Sequence, residues 1–111
     1  MGKITFEDGS IYEGDLVNGK PHGNGKMTFI DDDFYEGDFV DGKPHGNGKY
    51  TETEYEIDET LDIVKQTGNI VTFAIYEGDF FEGKYHGKGK QTFTNGKVKD
   101  GNWKEGRFVE E

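Results

Sequence analysis

The chain has 111 residues, enough for one folded domain, and it contains 18 glycines but only 31% hydrophobic residues, which excludes ordinary helix-rich packing. A formal net charge of −10 argues against a nucleic-acid partner and disfavours, without excluding, a membrane surface. There is no cysteine and no stretch approaching the roughly 20 apolar residues of a spanning helix, so we expect a cytoplasmic protein without a thiolate metal site or disulfides.

The chain is organised by an internal repeat of 23 residues. Its first segment, GKITFEDGSI at residues 2–11, matches the second half of the unit. Residues 12–26 read YEGDLVNGKPHGNGK, residues 35–49 read YEGDFVDGKPHGNGK, and residues 76–90 read YEGDFFEGKYHGKGK. A fixed period is typical of repeat architectures, in which neighbouring units stack. We therefore predict one repeat domain over 1–111, divided into a partial repeat 1–11, repeats 12–34, 35–75 and 76–98, and a degenerate partial repeat 99–111.

Each unit predicts a β-hairpin. In the first repeat Tyr12 and Leu16 fall on one face of an alternating segment, which is the period of a strand. Asn18-Gly19 follows, a dipeptide favoured in two-residue hairpin turns because both of its residues can adopt positive φ. Asp8-Gly9 and Asn95-Gly96 supply turn residues between hairpins. The expected fold is all-β, an elongated single-layer antiparallel meander of stacked 23-residue hairpin repeats.

The second repeat carries an insertion. Tyr76 follows Tyr35 by 41 residues instead of 23, so 18 extra residues lie within residues 52–73. Alternating segments around Tyr55 and Ile70 predict that the insertion extends a hairpin. Between these segments, residues 58–68 fit either another strand or a single helical turn, and periodicity does not decide between them.

The recurring pattern Tyr-x-Gly-x-aromatic or aliphatic-x-x-Gly-x-x-x-Gly-x-Gly resembles the MORN (membrane occupation and recognition nexus) repeat. The resemblance implies stacked short hairpins in a twisted sheet, with a groove lined by aromatic side chains. It also implies tethering of membranes or cytoskeletal elements, or binding of partner peptides or helices, with no catalytic residues in the repeat itself. Two features depart from the pattern: the insertion, and Lys99 in place of the opening tyrosine, which makes the last repeat resemble a cap.

Large side chains at two repeat positions are the candidate partner-binding surface. They share one strand face by their period of two, and they are Tyr12, Leu16, Tyr35, Phe39, Tyr76, Phe80 and Trp103. Part of this face must be core. Because a single-layer sheet has no second layer to cover it, the remaining aromatics are expected to form an exposed strip, which is typical of interaction sites. The first hypothesis is thus a non-catalytic adaptor or scaffold that binds another protein or peptide.

Lysines recur in register as well. Lys20, Lys43 and Lys84 share one position and are candidate ligands for lipid head groups, where family precedent points to phosphoinositides. Because acidic residues recur nearby, mutual neutralisation across strands is the favoured interpretation. A third hypothesis makes the acidic surface a nucleic-acid mimic that inhibits a basic protein. The repeat distributes its charges instead of clustering them, which counts against this hypothesis.

Repeated histidines are interpreted as structural. His22, His45 and His86 occupy one repeat position before a glycine. Equivalent residues of stacked hairpins lie about two strands apart, roughly 9–10 Å at ~4.8 Å per strand, which is too far for two of them to bind one ion. No metal or other cofactor is predicted.

Acidic groups are interpreted in the same way. Asp31, Asp32 and Asp33 lack the alternating ligand spacing of a calcium loop and are interpreted as a solvated turn. The repeated glutamates, Glu13, Glu36 and Glu77, form an in-register surface row. Acid–base catalysis needs two carboxylates in different environments across one cleft, so the sequence predicts no catalytic residue and no enzyme.

Overall fold

The structure is a computed structural model that describes residues 2–58 and 65–110, with side-chain surroundings for residues 2–54 and 71–109. These residues form one antiparallel sheet of nine strands, each paired with its neighbours in sequence. The strands are β1 (Gly2–Thr5), β2 (Ile11–Val17), β3 (Lys20–Thr28), β4 (Phe34–Val40), β5 (Lys43–Asp58), β6 (Lys65–Phe81), β7 (Lys84–Phe93), β8 (Val98–Lys104) and β9 (Arg107–Glu110). The sheet measures 53 Å by 38 Å by 17 Å, and the predicted single-layer meander is confirmed.

The hairpin turns have the predicted geometry. Asn18 and Gly19 have φ values of 53° and 78°, so both central residues are left-handed, as a type I′ turn requires. Glu82 and Glu105 stand at the position of Asn18 in the later repeats, with φ values of 47° and 48°. Glutamate does not favour this conformation, and the turn is held there by the glycine that follows and by contacts with the preceding repeat.

The connections between hairpins share one loop structure. In the first, the Phe6 N–H donates to the Ser10 carbonyl at 2.8 Å, and the Ser10 N–H donates to the Asp8 carboxylate at 2.8 Å. Asp31 takes the role of Asp8 in the second loop, where its carboxylate accepts from the N–H of Asp33 at 3.1 Å. These Asx turns explain the acidic run, and the interpretation of a turn is confirmed.

Asp33 corrects the prediction that the whole acidic run is solvated. Its side chain is half-buried, and Oδ1 accepts from the backbone N–H of Thr53 at 2.7 Å and from the Thr53 hydroxyl at 3.1 Å. Thr53 belongs to the part of β5 that the insertion adds. The carboxylate therefore joins the loop before β4 to the inserted segment.

The insertion extends the hairpin of β5 and β6, as predicted. Thr53 pairs with Thr72, and Asp58 pairs with Lys65, so both strands continue well beyond the length of the other repeats. The alternative of a helical turn over residues 58–68 is wrong for Asp58 and for residues 65–68, which are strand. Residues 59–64 lie outside the described part of the chain.

A row of glycines crosses the sheet beneath the tyrosine rings. Successive members are direct cross-strand partners: Gly2, Gly14, Gly25, Gly37, Gly48, Gly78, Gly89 and Gly101. A Cβ placed on Gly48 would overlap the ring of Tyr35, and the same holds for Gly25 under Tyr12. The glycines thus let each tyrosine ring lie directly against the backbone.

The opposite face carries an alternating charge ladder. Its members are direct partners across eight strands: Lys3, Glu13, Lys26, Glu36, Lys49, Glu77, Lys90 and Asp100. Opposite charges at directly opposed positions attract. This register places each of the four lysines directly opposite acidic residues, as neutralisation across strands requires, and the repeated glutamates are part of the same ladder.

Candidate functional site

The two predicted rows of large side chains form the core of the molecule. Tyr12, Tyr35 and Tyr76 are fully buried, and the other three aromatics are Phe39, Phe80 and Trp103, each at most 5% exposed. Leu16 is half-buried. The prediction that part of this face is core is confirmed, but the prediction that its remaining aromatics form an exposed strip is wrong, because all six rings cover one another along the face. Their role in partner binding stays a prediction.

Edge-to-face contacts between repeats produce this burial. The Phe39 ring lies 5.0 Å from that of Tyr12 in the preceding repeat and 5.1 Å from that of Tyr35 in its own, both nearly perpendicular. Phe80 repeats the arrangement with Tyr35 and Tyr76, at 4.7 and 5.1 Å. Such T-shaped pairs are a favoured geometry for aromatic rings. The row is continuous, so a single layer acquires a core along one face.

The tyrosine hydroxyls are satisfied within the repeat. Tyr35 donates to the carbonyl of Asp38 at 2.8 Å, and Tyr76 donates to that of Asp79 at 2.8 Å. Burial, with the nearby Asp79 charge as a smaller cause, raises the pKa of Tyr76 to about 12. Burial likewise raises the pKa of Tyr12 and Tyr35. These hydroxyls stabilise the strand bulge at the aspartate of the Tyr-Glu-Gly-Asp segment.

A second layer of aromatic rings lies over this core, and we call Phe29, Tyr50, Tyr85 and Phe108 the upper aromatic row. All four are half-buried and pack against the buried cluster. The Tyr85 ring stacks on Tyr76 with 3.9 Å between centroids and 3° between planes, and it lies 6.0 Å from Tyr50. Phe29 lies 5.8 Å beyond Tyr50. Together with Phe6, these rings are the aromatic side chains of the core that remain partly accessible to solvent.

Tyr50 and Tyr85 were not identified from the sequence, because tyrosine does not recur at either position of the repeat. Met27 and Gln91 stand at the position of Tyr50 in the other repeats, and Pro21 and Pro44 stand at that of Tyr85. The sequence did contain a signal of this site, because these two tyrosines near the insertion differ from the residues that the other repeats have at the same positions.

Carboxylates border the upper aromatic row. The Tyr50 hydroxyl donates to Asp33 Oδ2 at 3.2 Å, and Gln91 Nε2 donates to Glu52 Oε2 at 2.9 Å. Burial is the main reason that the pKa of Glu52 is raised, and the charge of Asp33 adds to it. An open groove runs between the rings and is lined by Tyr50, Glu52, Gly83, Lys84, Tyr85 and Gly106. The groove presents the apolar surface of two rings beside the carboxylate of Glu52.

The opposite face has a different exposed surface at the hairpin ends, which we call the hairpin-end strip. It consists of Val17, Val40 and Phe81, 39–50% exposed, and of their direct cross-strand partners Lys20, Lys43 and Lys84. The candidate lipid-binding lysines thus pair with apolar residues and not with acids. Acidic turn residues, Glu82 and Glu105, line the adjacent grooves and reduce the local positive charge.

The histidines join successive repeats. His22 Nδ1 accepts the backbone N–H of Asp41 at 3.4 Å, and His45 and His86 accept those of Glu82 and Glu105 at the same distance. This arrangement agrees with the structural interpretation. Within the described residues, no group of three or more His, Cys, Asp or Glu side chains is placed to hold a metal ion. No described helix is long and apolar enough to cross a membrane.

Comparison with known families gives a match over more than half of the chain. Residues 12–34, 35–51 and 76–98 each match the family model of the MORN repeat. The unmatched part of the second repeat begins where the insertion begins. Among curated proteins, none matches this sequence.

Proposed function

Because the chain belongs to the MORN repeat family, a non-catalytic repeat module generally associated with protein or membrane binding, we propose that it binds another protein on its aromatic face. The module has no catalytic role and acts as an adaptor or scaffold. The upper aromatic row is the contact surface in this proposal, and the buried tyrosines and phenylalanines form the floor beneath it. The partner is a protein segment or peptide that lies along the groove.

The single observation that carries the proposal is the stack of Tyr85 on Tyr76. The lower ring is fully buried, whereas the upper ring is half-buried, so part of it remains accessible to solvent. Half-exposed tyrosines are favoured at interfaces because they offer a large apolar surface together with a hydroxyl. Tyr50 and Phe29 continue this surface along the sheet.

Asp33 and Glu52 give the groove polarity. Both carboxylates are half-buried, and each is held by hydrogen bonds from neighbouring side chains. Fixed acceptors at the border of an apolar groove orient a partner through its donors, and they select against partners that bring further acidic groups. The proposal therefore favours a partner segment with apolar residues and hydrogen-bond donors.

The experiment replaces Tyr50 and Tyr85, the two half-buried tyrosines of the groove, by residues that the other repeats have at these positions. The variant Tyr50→Met with Tyr85→Pro copies Met27 and Pro21 of the first repeat, so the strand pairing is preserved. Proteins captured on the immobilised variant are compared with those captured on the unchanged chain. We expect loss of the partner with no change in the β-sheet circular dichroism signal.

The matched control is Phe81→Val, which copies Val17 and Val40 on the opposite face. It removes an exposed ring of similar size without touching the groove. Capture should be unaffected. If Phe81→Val removes the partner while the tyrosine variant keeps it, binding occurs on the hairpin-end strip and the proposal is wrong.

A second candidate function is attachment to an anionic lipid surface through Lys20, Lys43 and Lys84. The observation in its favour is that these lysines stand beside exposed Val17, Val40 and Phe81, a combination suited to a membrane interface. The net charge of −10 opposes it. Sedimentation with phosphatidylcholine vesicles, with and without phosphatidylinositol bisphosphate, tests it. The lipid function is supported if the chain binds these vesicles at low salt and loses this binding when all three lysines are replaced by glutamine. If the chain does not sediment with the vesicles, the lipid function is wrong.

A further inference from the structure

The insertion gives the sheet a free strand edge inside the chain. β6 pairs with β7 from Ala74 onward, and β7 ends at Phe93, the partner of Ala74. In the described part of the chain, residues 65–73 of β6 therefore pair with β5 alone. We call the paired segments, residues 53–58 and 65–73, the inserted arm. Unpaired N–H and C=O groups along a strand edge are a template for a further strand.

The two edges of the inserted arm are protected differently. The loop before β4 covers the start of the β5 edge, where Asp33 accepts the N–H of Thr53 at 2.7 Å. Further along, β5 carries three acidic residues, Glu54, Glu56 and Asp58. Charged residues on an edge strand discourage the addition of another strand. The β6 edge lacks such charges, because residues 66–73 read QTGNIVTF, an uncharged sequence rich in the β-branched residues typical of strands.

An apolar groove with a basic border lies where the β6 edge meets the body of the sheet. The Phe73 ring is 40% exposed and lies 5.8 Å from the half-buried ring of Phe93. The N–H of Thr94 donates to the Phe73 carbonyl at 3.2 Å, and the chain then turns toward β8. The groove has a volume of about 520 Å³ and is lined by Phe73, Phe93, Asn95, Lys97, Val98 and Lys99. Its two charged residues are both lysines.

The lysine of this loop stands where the loop before β4 has an acid. The carbonyl of Lys97 accepts the N–H of Phe93 at 2.9 Å, as the carbonyl of Asp33 accepts the N–H of Phe29 at 2.8 Å. The two loops flank the inserted arm on opposite sides, so a carboxylate lies beside one edge and an ammonium group beside the groove at the other. On a chain with a net charge of −10, this groove is a local exception.

We propose that an extended segment of another protein adds a strand to the β6 edge of the inserted arm. An apolar side chain of this segment contacts Phe73 and Phe93, and its carboxylates pair with Lys97 and Lys99. In such strand addition, main-chain hydrogen bonds supply affinity and side-chain contacts supply specificity. The site lies on the arm and not on the upper aromatic row, so this inference is independent of the proposed function.

Charge favours this occupant over a second copy of the chain. The β6 edge of a second copy has no acid over residues 66–73, so it would bring no carboxylate to Lys97 and Lys99. Two copies would also bring together two net charges of −10. At about 0.1 M salt the Debye length is about 10 Å, so a short acidic segment in the groove interacts mainly with the nearby lysines.

Hydrogen exchange of the free chain tests the edge itself. Residues 70–72 pair regularly with residues 53–55, and the N–H groups of successive strand residues point to opposite sides. The amide of Val71 should therefore exchange at a rate different from those of Ile70 and Thr72. Equally slow exchange would mean that another part of the chain covers the edge, and equally fast exchange that the arm is not a stable hairpin. Either result overturns the proposal.

Peptide selection tests the occupant. A phage library of random dodecapeptides is selected on the full chain, and we expect enriched peptides to combine an apolar residue with acidic residues. Lys97→Asp copies the acid of the loop before β4 and should weaken binding of the synthetic peptide about tenfold, because it replaces attraction by repulsion. Phe73→Thr removes an exposed ring of the groove and should also weaken binding.

Two controls separate the arm from the rest of the sheet. Lys20→Asp makes the same charge change at an exposed hairpin end and should leave binding unchanged. Replacing residues 53–75 by a copy of residues 30–34 restores the spacing of 23 and keeps Tyr50 and Tyr85, and it should abolish binding. The proposal is wrong if enriched peptides lack acids or still bind this exchanged chain. It is also wrong if sedimentation shows a dimer that the exchange dissociates, because the edge would then bind a second copy.

Discussion

Tyr35 joins the local structure of its repeat to the core of the molecule. Its ring covers Gly48 of the neighbouring strand, its hydroxyl donates to the carbonyl of Asp38, and its edges meet Phe39 and Phe80. The Tyr35 side chain thus stabilises the bulge of its own repeat and packs against a phenylalanine of the next repeat. The glycines of the motif are needed because such a ring leaves no room beneath it.

Gly48→Ala should destabilise the fold more than Gly2→Ala. A Cβ on Gly48 meets the Tyr35 ring, which is fixed by its hydrogen bond and by two phenylalanines, so overpacking should lower the free energy of unfolding by about 1–3 kcal/mol. A Cβ on Gly2 meets only the end of the Leu16 side chain at the sheet border, and that methyl group can rotate away. Urea unfolding of both variants measures the difference, and equal losses would contradict the role assigned to the ring.

The buried tyrosines predict loss of stability at alkaline pH. The folded chain holds the Tyr76 proton up to about pH 12, whereas an unfolded tyrosine loses it near pH 10. Between these values the folded state binds more protons, so the free energy of unfolding falls as pH rises. Urea unfolding at several pH values above about 9 should show this decline. Tyr76→Phe should make it shallower, and an unchanged slope would mean that Tyr76 titrates normally.

At the scale of the element, each hairpin turn after the first is attached to the repeat before it. In the third repeat the N–H of Glu82 donates to His45 Nδ1 at 3.4 Å, and the N–H of Gly83 donates to the carbonyl of Pro44 at 2.8 Å. Backbone donors make both bonds, so the side chain at the first turn position is free to vary. This explains why asparagine, aspartate and glutamate all occur there.

Glu82→Asn should stabilise the third hairpin. Glu82 has a φ of 47°, and asparagine tolerates this left-handed conformation better than glutamate does. Because the substitution keeps both backbone bonds, the free energy of unfolding should rise by about 0.5–1 kcal/mol. Asn18→Glu makes the reverse exchange at the same repeat position and should lower it by a similar amount. Chemical denaturation measures both, and changes of the same sign would contradict the explanation.

At the scale of the whole molecule, the sequence predicted what depends on local chemistry. The turn at Asn18-Gly19, the strand order and the extension of β5 and β6 follow from a dipeptide, from spacing and from alternation. Burial of the aromatic rows was not predicted, because it depends on how Phe39 meets tyrosines of two different repeats. The period of two predicts the sheet face on which each residue lies. It does not predict how much of that residue a neighbouring ring covers.

The upper aromatic row was missed for a related reason. A repeat consensus directs attention to positions that recur, whereas Tyr50 and Tyr85 occur once each and meet only because β5 and β7 flank the same strand. Their border of Asp33 and Glu52 depends on the loop before β4 and on the start of the insertion. Such a site is formed by residues that depart from the repeat pattern. Which of these residues contact one another depends on the strand register of the folded sheet.

The distribution of charge over the sheet predicts how its stability responds to salt. The charge ladder holds equal numbers of lysines and acids, so the net charge of −10 arises entirely from residues outside it. Raising ionic strength from about 0.01 M to about 0.1 M shortens the Debye length from about 30 Å to about 10 Å. Repulsion across a sheet 53 Å long is then screened, whereas directly opposed ladder pairs, about 5 Å apart, keep most of their attraction.

The midpoint of urea unfolding should therefore rise over this range of salt. Glu36→Gln with Lys49→Gln removes one pair of the ladder and leaves the net charge unchanged, so it should lower the midpoint slightly while keeping the upward slope with salt. If the midpoint of the unchanged chain instead falls with added salt, attraction within the ladder outweighs the long-range repulsion.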